Sequence, residues 1–218
     1  MKVPIEVSAR HVHLSKPDLE KLFGPGYELT KLKGLSQPGQ FAAKETVKLV
    51  GPAGQLEKVR VLGPCRQETQ VEVSETDAKQ LGINPPVRDS GDLAGSAGVK
   101  IIGPKGEIDL PEGVILALRH LHLDPATAAA FKLKDGDRVK VDIGGARDLL
   151  FENVLVRVSP AYKSAMHIDM DEANAAGIDK SNNLGEIISL IPESNATYLA
   201  RSANNATLDF YDELQKIK

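Results

Sequence analysis

The sequence predicts a mainly β protein: two small β-barrels arising from an internal repeat and capped by short α-helices. Four of its five histidines fall in two copies of one phrase, Arg10-His11-Val12-His13-Leu14 and Arg119-His120-Leu121-His122-Leu123. A second pair of phrases repeats downstream, where setting Glu72-Val73-Ser74 on His167-Ile168-Asp169 places Ala78 on Ala173, Gly82 on Gly177 and Ile83 on Ile178 without a gap. The offset is 109 residues at the first pair and 95 at the second, so the second copy is shorter by 14 in its middle. Strand-like segments are many and short, helical ones few, and 19 glycines and 13 prolines supply the turns, a composition that favours closed β sheets over helical bundles.

The elements follow in order. Ile5 to Leu14 alternates as a strand. Ser15, with Asp18 three residues on and Pro17 in the first turn, opens a capped helix that Gly24-Pro25-Gly26 ends. Thr46 to Val50 and Lys58 to Leu62 read as a hairpin around Gly51-Pro52-Ala53-Gly54. Ser74 is the N-cap of a helix that Gly82 stops. Pro85 to Gly95 reads as the connection between halves, giving approximate units of 1–86 and 87–218, with the first strand free to cross over. The second copy repeats the scheme: a strand from Val114 to Leu123, Asp124 as N-cap, Pro125 at the first helical position, and a helix to Phe131. Arg138 to Ile143 and Asn153 to Val158 form the second hairpin, and Asp169 caps a helix that Gly177 stops. A polar tail follows from Glu193, with a terminal helix expected over Leu208 to Ile217.

Composition narrows the function classes. Lys plus Arg number 27 against 30 Asp plus Glu, a net charge of −3, which carries no electrostatic footprint for nucleic acid or an anionic membrane. The single cysteine, Cys65, excludes an intrachain disulfide and fits a reducing compartment. No apolar run approaches a membrane span and Met1 to Val7 lacks the apolar stretch of a signal peptide. A cytoplasmic location is expected.

The repeated phrase carries chemistry. On an extended strand His-x-His throws both imidazoles to one face, where two nitrogens can grip one metal ion. One such phrase is a weak signal, since histidines also sit on half-buried strands as ordinary hydrogen-bonding groups; two copies in the same context are harder to set aside. The downstream repeat then supplies a third ligand to each, giving His11, His13 and Glu72 for one site and His120, His122 and His167 for the other. Glu72 alone would be read as a solvated carboxylate. Three protein ligands leave a fourth tetrahedral position open, as in catalytic and not structural zinc.

Several phrases, in order, resemble a known family: Val7-Ser8-Ala9-Arg10-His11-Val12-His13-Leu14-Ser15, Gln37-Pro38-Gly39-Gln40-Phe41-Ala42, Gly63-Pro64-Cys65-Arg66, Gln70-Val71-Glu72-Val73-Ser74, Arg88-Asp89-Ser90-Gly91 and Arg119-His120-Leu121-His122. The chain resembles, from Val3 to about Pro192, the phosphate acyltransferases of the microcompartment type, that is, phosphate propanoyltransferases or PduL-type phosphotransacylases. The resemblance implies reversible transfer of a short acyl group between coenzyme A and inorganic phosphate, two β-barrels, and two zinc ions between them on the same six ligands. It implies that Arg66 binds phosphate, and Ser90 is a candidate substrate contact. On this reading the second zinc site orients phosphate while the first receives the departing thiolate. Arg10 and Arg119 precede their histidines, so they point to the opposite strand face and are read as structural.

Family members destined for bacterial microcompartments often carry an amphipathic amino-terminal extension, and this chain enters its first strand almost at once. The microcompartment lumen is therefore the second choice of location, and association with a shell, like a homo-oligomer, is compatible with the sequence without being required by it. Two other readings compete: a dinuclear metal hydrolase, since paired metals also activate water, and a non-catalytic metal-binding β protein with closed ligand shells.

Overall fold

The computed structural model describes residues 2–190; the helix expected over Leu208 to Ile217 lies outside the described residues. Strands dominate. In chain order they are β1 (Lys2–Ser8), β2 (His11–Ser15), β3 (Lys31–Gly34), β4 (Phe41–Val50), β5 (Gln55–Arg66), β6 (Gln70–Glu72), β7 (Val87–Arg88), β8 (Ala97–Ile102), β9 (Glu107–Ala117), β10 (His120–Leu123), β11 (Arg138–Ile143), β12 (Leu149–Val158), β13 (Ala165–Asp169) and β14 (Leu184–Leu190). Four short helices are interspersed: α1 (Lys16–Phe23), α2 (Glu75–Leu81), α3 (Pro125–Ala130) and α4 (Met170–Ala176). Among the described residues no helix is long and apolar enough to cross a membrane.

The strands close into two six-stranded barrels. Around the first the order is β4-β5-β2-β6-β9-β8, with β3 and β7 attached outside; around the second it is β11-β12-β10-β13-β1-β14. The two orders match strand for strand, which is the repeat expressed in space. Each barrel has its own core. Val12, Leu14, Leu49, Val61 and Val71 are among the side chains filling the first, and Leu121, Leu123, Val139, Val156 and Met166 among those filling the second, inward residues alternating with outward ones as the pleat dictates.

Among the described residues, the four helix starts read from the sequence are present. Ser15, Ser74, Asp124 and Asp169 are N-caps whose side chains accept from the backbone three residues on. Helices α2 and α4 carry reciprocal capping boxes, with Asp77 and Glu172 reaching back to the caps. Both end at a glycine in the left-handed region, Gly82 at φ 74° and Gly177 at φ 62°, where a side chain would be strained.

Two expectations need correction. Ile5 to Leu14 and Val114 to Leu123 are not single strands: each divides just before the His-x-His phrase, into β1 and β2 and into β9 and β10. Strand β1 lies in the second barrel, parallel to β13, although it leads into the first; β9 lies in the first, parallel to β6, although it leads into the second. Alternation fixes which face a side chain takes but not which sheet the strand joins. At each crossing a carbonyl turns to the following histidine, Ala9 O to His11 Nδ1 at 2.9 Å and Leu118 O to His120 Nδ1 at 2.8 Å. The barrels thus exchange their leading strands. A further contact ties equivalent positions together, the Thr76 backbone N–H of α2 donating to Asp171 of α4 at 2.8 Å.

Candidate metal centre and anion cavity

The exchange brings β2 with β6, and β10 with β13, to one cavity between the barrels. Antiparallel register sets His11 opposite Glu72 and His120 opposite His167, so the third ligand of each trio arrives through the same ladder position. The cavity measures about 250 Å³, and all six candidate ligands line it together with Arg66, Ser90, Gln37, Arg157 and Tyr162.

His11, His13 and Glu72 offer ligand atoms that all lie within 4.8 Å of one another. His11 Nε2 stands 3.3 Å from Glu72 Oε2. The other Glu72 oxygen accepts from Gln70 Nε2 at 2.6 Å and from Ser90 Oγ at 3.1 Å. In the second trio the imidazole centroids are 4.7 Å apart for His120 and His122, 4.9 Å for His122 and His167, and 5.1 Å for His120 and His167, the last pair stacked. The rings gather, though among the described residues only the first trio brings its ligand atoms to that spacing.

The chemistry of these groups fits a divalent metal. Donation from Nδ1–H of His11 and of His120 to backbone carbonyls turns each Nε2 toward the cavity, the usual support for a metal-bound imidazole. His13 Nδ1 and both nitrogens of His122 are buried without a hydrogen-bond partner, a costly state that metal coordination relieves. Burial first, then neighbouring cations or imidazoles, push His13, His122 and His167 down to about 3, so all three are neutral and able to ligate at neutral pH. His11 behaves differently: burial lowers it, but the charge and hydrogen bond of Glu72 outweigh burial and raise it. Glu72 is correspondingly held well below the carboxylate range, burial opposing and His11 prevailing.

Arg66, at the end of β5, donates to Ser90 Oγ at 3.1 Å. Ser90 also accepts from Gln70 Nε2 at 2.8 Å and donates to Glu72. Its one donor and two lone pairs are thereby used within the protein, and Ser90 joins the arginine to the Glu72 carboxylate, a candidate ligand. Gln70 is pinned in turn by the Gly91 N–H at 2.8 Å. From the other side Gln37 crosses the interface, donating to Lys163 O at 3.0 Å and standing 3.4 Å from His167 Nε2. Arg10 and Arg119 point away from the cavity, pairing with Asp77 at 2.5 Å and Glu172 at 2.9 Å.

Sequence reasoning passed over Gln70, Arg157, Tyr162 and Glu6, which approaches His167 Nε2 at 3.7 Å. The repeat misdirects for Arg157, since Leu62 occupies the matching place in the first copy. Its neighbour in the parallel ladder, His122, is the signal that β12 runs past the site.

Comparison with known proteins places the chain in a family. The family model for phosphate propanoyltransferase matches residues 4–179. A phosphate propanoyltransferase of Thermotoga maritima is 55% identical over 188 residues, covering 86% of this chain and 88% of that protein. Those of Clostridioides difficile and Salmonella typhimurium are 51% and 50% identical, covering 82% and 85% of this chain and 85% and 89% of theirs. The chain belongs to the phosphate acyltransferase class of enzymes. Within it, this chain belongs to the phosphate propanoyltransferase family.

Proposed function

We propose that the protein catalyses zinc-dependent, reversible transfer of a short acyl group between coenzyme A and inorganic phosphate, with His11, His13 and Glu72 holding one zinc and His120, His122 and His167 a second. The observation that carries the reading is the meeting of both trios with Arg66 in one cavity. A hydrolase would need water admitted to the acyl carbon; a metal-binding protein would need no guanidinium there. Membership of an acyltransferase family favours neither.

Bound zinc would polarise the thioester carbonyl and stabilise the leaving thiolate. The chain's own groups do the rest. Arg66 offers a bidentate fork to phosphate, a dianion in large part near neutral pH and a poor nucleophile while solvated. Ser90 and Gln70 fix that fork relative to Glu72, turning a diffusive encounter into an oriented one. A phosphate oxygen attacks the thioester carbon, the C–O bond forms and the C–S bond breaks. Coenzyme A leaves as thiolate with the bonding pair, and the phosphate proton passes to the thiolate or to solvent.

The test is release of coenzyme A thiol from acetyl-CoA and propanoyl-CoA by the zinc-loaded protein, with and without phosphate. Release that requires phosphate and yields acyl phosphate is expected. Release without phosphate would point to a hydrolase, and none under either condition would remove the catalytic reading of this cavity.

A further inference from the structure

A second guanidinium faces the cavity. Arg157, on β12, pairs with His122 in the parallel ladder and lines the space with Arg66. The repeat does not account for it: at the 95-residue offset Arg157 falls on Leu62 and Arg66 on Ala161. Each barrel thus supplies one guanidinium, from non-equivalent positions, and barrel construction alone does not require either. The Arg157 side chain is 26% exposed, and its ion-pair partner among the described residues, Asp89, stands at 3.6 Å, beyond hydrogen-bonding distance. Asp89 Oδ1 is itself buried without a hydrogen bond. The guanidinium carbon lies 6.0 Å from the Tyr162 ring centroid, and that ring lies 4.1 Å from the ring of His122. Charge on one side and an aromatic face on the other locate Arg157 while leaving its planar fork of donors for a ligand.

We propose that Arg157 is a second phosphate-binding residue, holding inorganic phosphate, or the phosphate end of the acyl phosphate, against the His120, His122 and His167 wall while Arg66 holds it from the His11, His13 and Glu72 wall. Between two guanidiniums a phosphate or acyl phosphate meets opposed, charge-assisted donors. The mutual repulsion of the arginines supports this: burial, and after it Arg157, lowers Arg66 against the pull of Glu72, and an anion between them offsets that repulsion. The inference rests on the proposed acyl transfer and names a residue for its phosphate half. Coenzyme A carries phosphates of its own, so the experiment separates the two sources.

Arg157→Ala and Arg157→Lys are prepared in the zinc-loaded protein with Arg66 intact. Initial rates are measured in both directions, and inorganic phosphate is titrated calorimetrically. The expected result for Arg157→Ala is a rise of roughly tenfold or more in KM for phosphate and for acetyl phosphate, with phosphate Kd rising in parallel. KM for acetyl-CoA and coenzyme A should stay within about twofold, with metal content unchanged. Arg157→Lys should recover part of the loss, and it reads the same constants if the alanine variant fails to fold. A rise confined to the coenzyme A substrates would overturn the proposal by assigning Arg157 to their phosphates; unchanged constants and unchanged phosphate Kd would overturn it outright. Wild-type protein without phosphate-dependent thiol release would instead refute the acyl-transfer reading, while the calorimetric arm still reports on Arg157.

Discussion

Arg66 and Glu72 are coupled through a single hydroxyl, and that coupling sets what substitutions at the cavity should do. With its fork steered by Ser90, Arg66 contributes orientation as well as charge, so Arg66→Ala should lower kcat by roughly 10²-fold while metal content stays at the wild-type level. Elemental analysis beside initial rates checks both halves. Glu72→Gln keeps the shape and the acceptor for Gln70 and Ser90 but removes the charge and the oxygen that face His11. It should lower the metal bound per chain while far-ultraviolet circular dichroism remains that of the parent, and retention of full metal content would exclude Glu72 as a ligand. All six candidate ligands were legible in the sequence because an internal repeat supplies its own alignment, turning a lone glutamate into the counterpart of a histidine. Arg157, Gln70 and Tyr162 were not, because each is peculiar to one copy: Leu62, Ala165 and Gln67 stand in their places in the other. A repeat reveals what its halves share and conceals what they do separately.

At the level of elements, the helix that follows each third ligand is clamped to the strand bearing the His-x-His phrase. Arg10, just before β2, runs to Asp77 in the capping box of α2, and Arg119, just before β10, runs to Glu172 in that of α4. Ser74→Ala and Asp169→Ala should each cost about 1 kcal/mol in denaturant unfolding, and the two losses should be similar if the halves are equivalent. Glu45 on β4 makes a pH-dependent contribution. It accepts from the Tyr27 hydroxyl at 2.9 Å and from the Thr30 N–H at 3.1 Å. Burial raises its pKa, but these hydrogen bonds and that of its own N–H outweigh burial and lower it below 4.5. A carboxyl lowered on folding adds stability that is full above the unfolded-state value and is lost as pH falls through the folded one. Glu45→Gln should therefore be less stable than the parent at pH 7, with the gap closing in acid below about pH 4; an equal gap at pH 7 and pH 3 would contradict this. Helix caps were readable because they depend on a few adjacent residues, whereas β14 was missed because its pairing partners, β1 and β11, lie far along the chain.

Across the whole molecule, exchange of β1 and β9 makes each barrel incomplete without chain from the other half. Residues 1–86 alone lack β8 and β9, which close the first barrel, so that fragment should show neither the dispersed amide spectrum nor the cooperative unfolding of the intact chain. Core truncation in either barrel, Val61→Ala or Leu121→Ala, should lower one shared transition, by about 1 to 5 kcal/mol, with circular dichroism and hydrodynamic probes moving together. The sequence indicated two barrels, yet the crossing was left open because no local pattern distinguishes a strand that returns to its own sheet from one that joins its neighbour's. That crossing is what sets the two ligand trios in one cavity. The most direct measurement is therefore a zinc titration of chelator-stripped protein, following bound metal and phosphate-dependent thiol release together. Activity that is absent without metal and rises to a plateau at two zinc per chain is the predicted result; full activity in stripped protein, or a plateau at one zinc per chain, would contradict it.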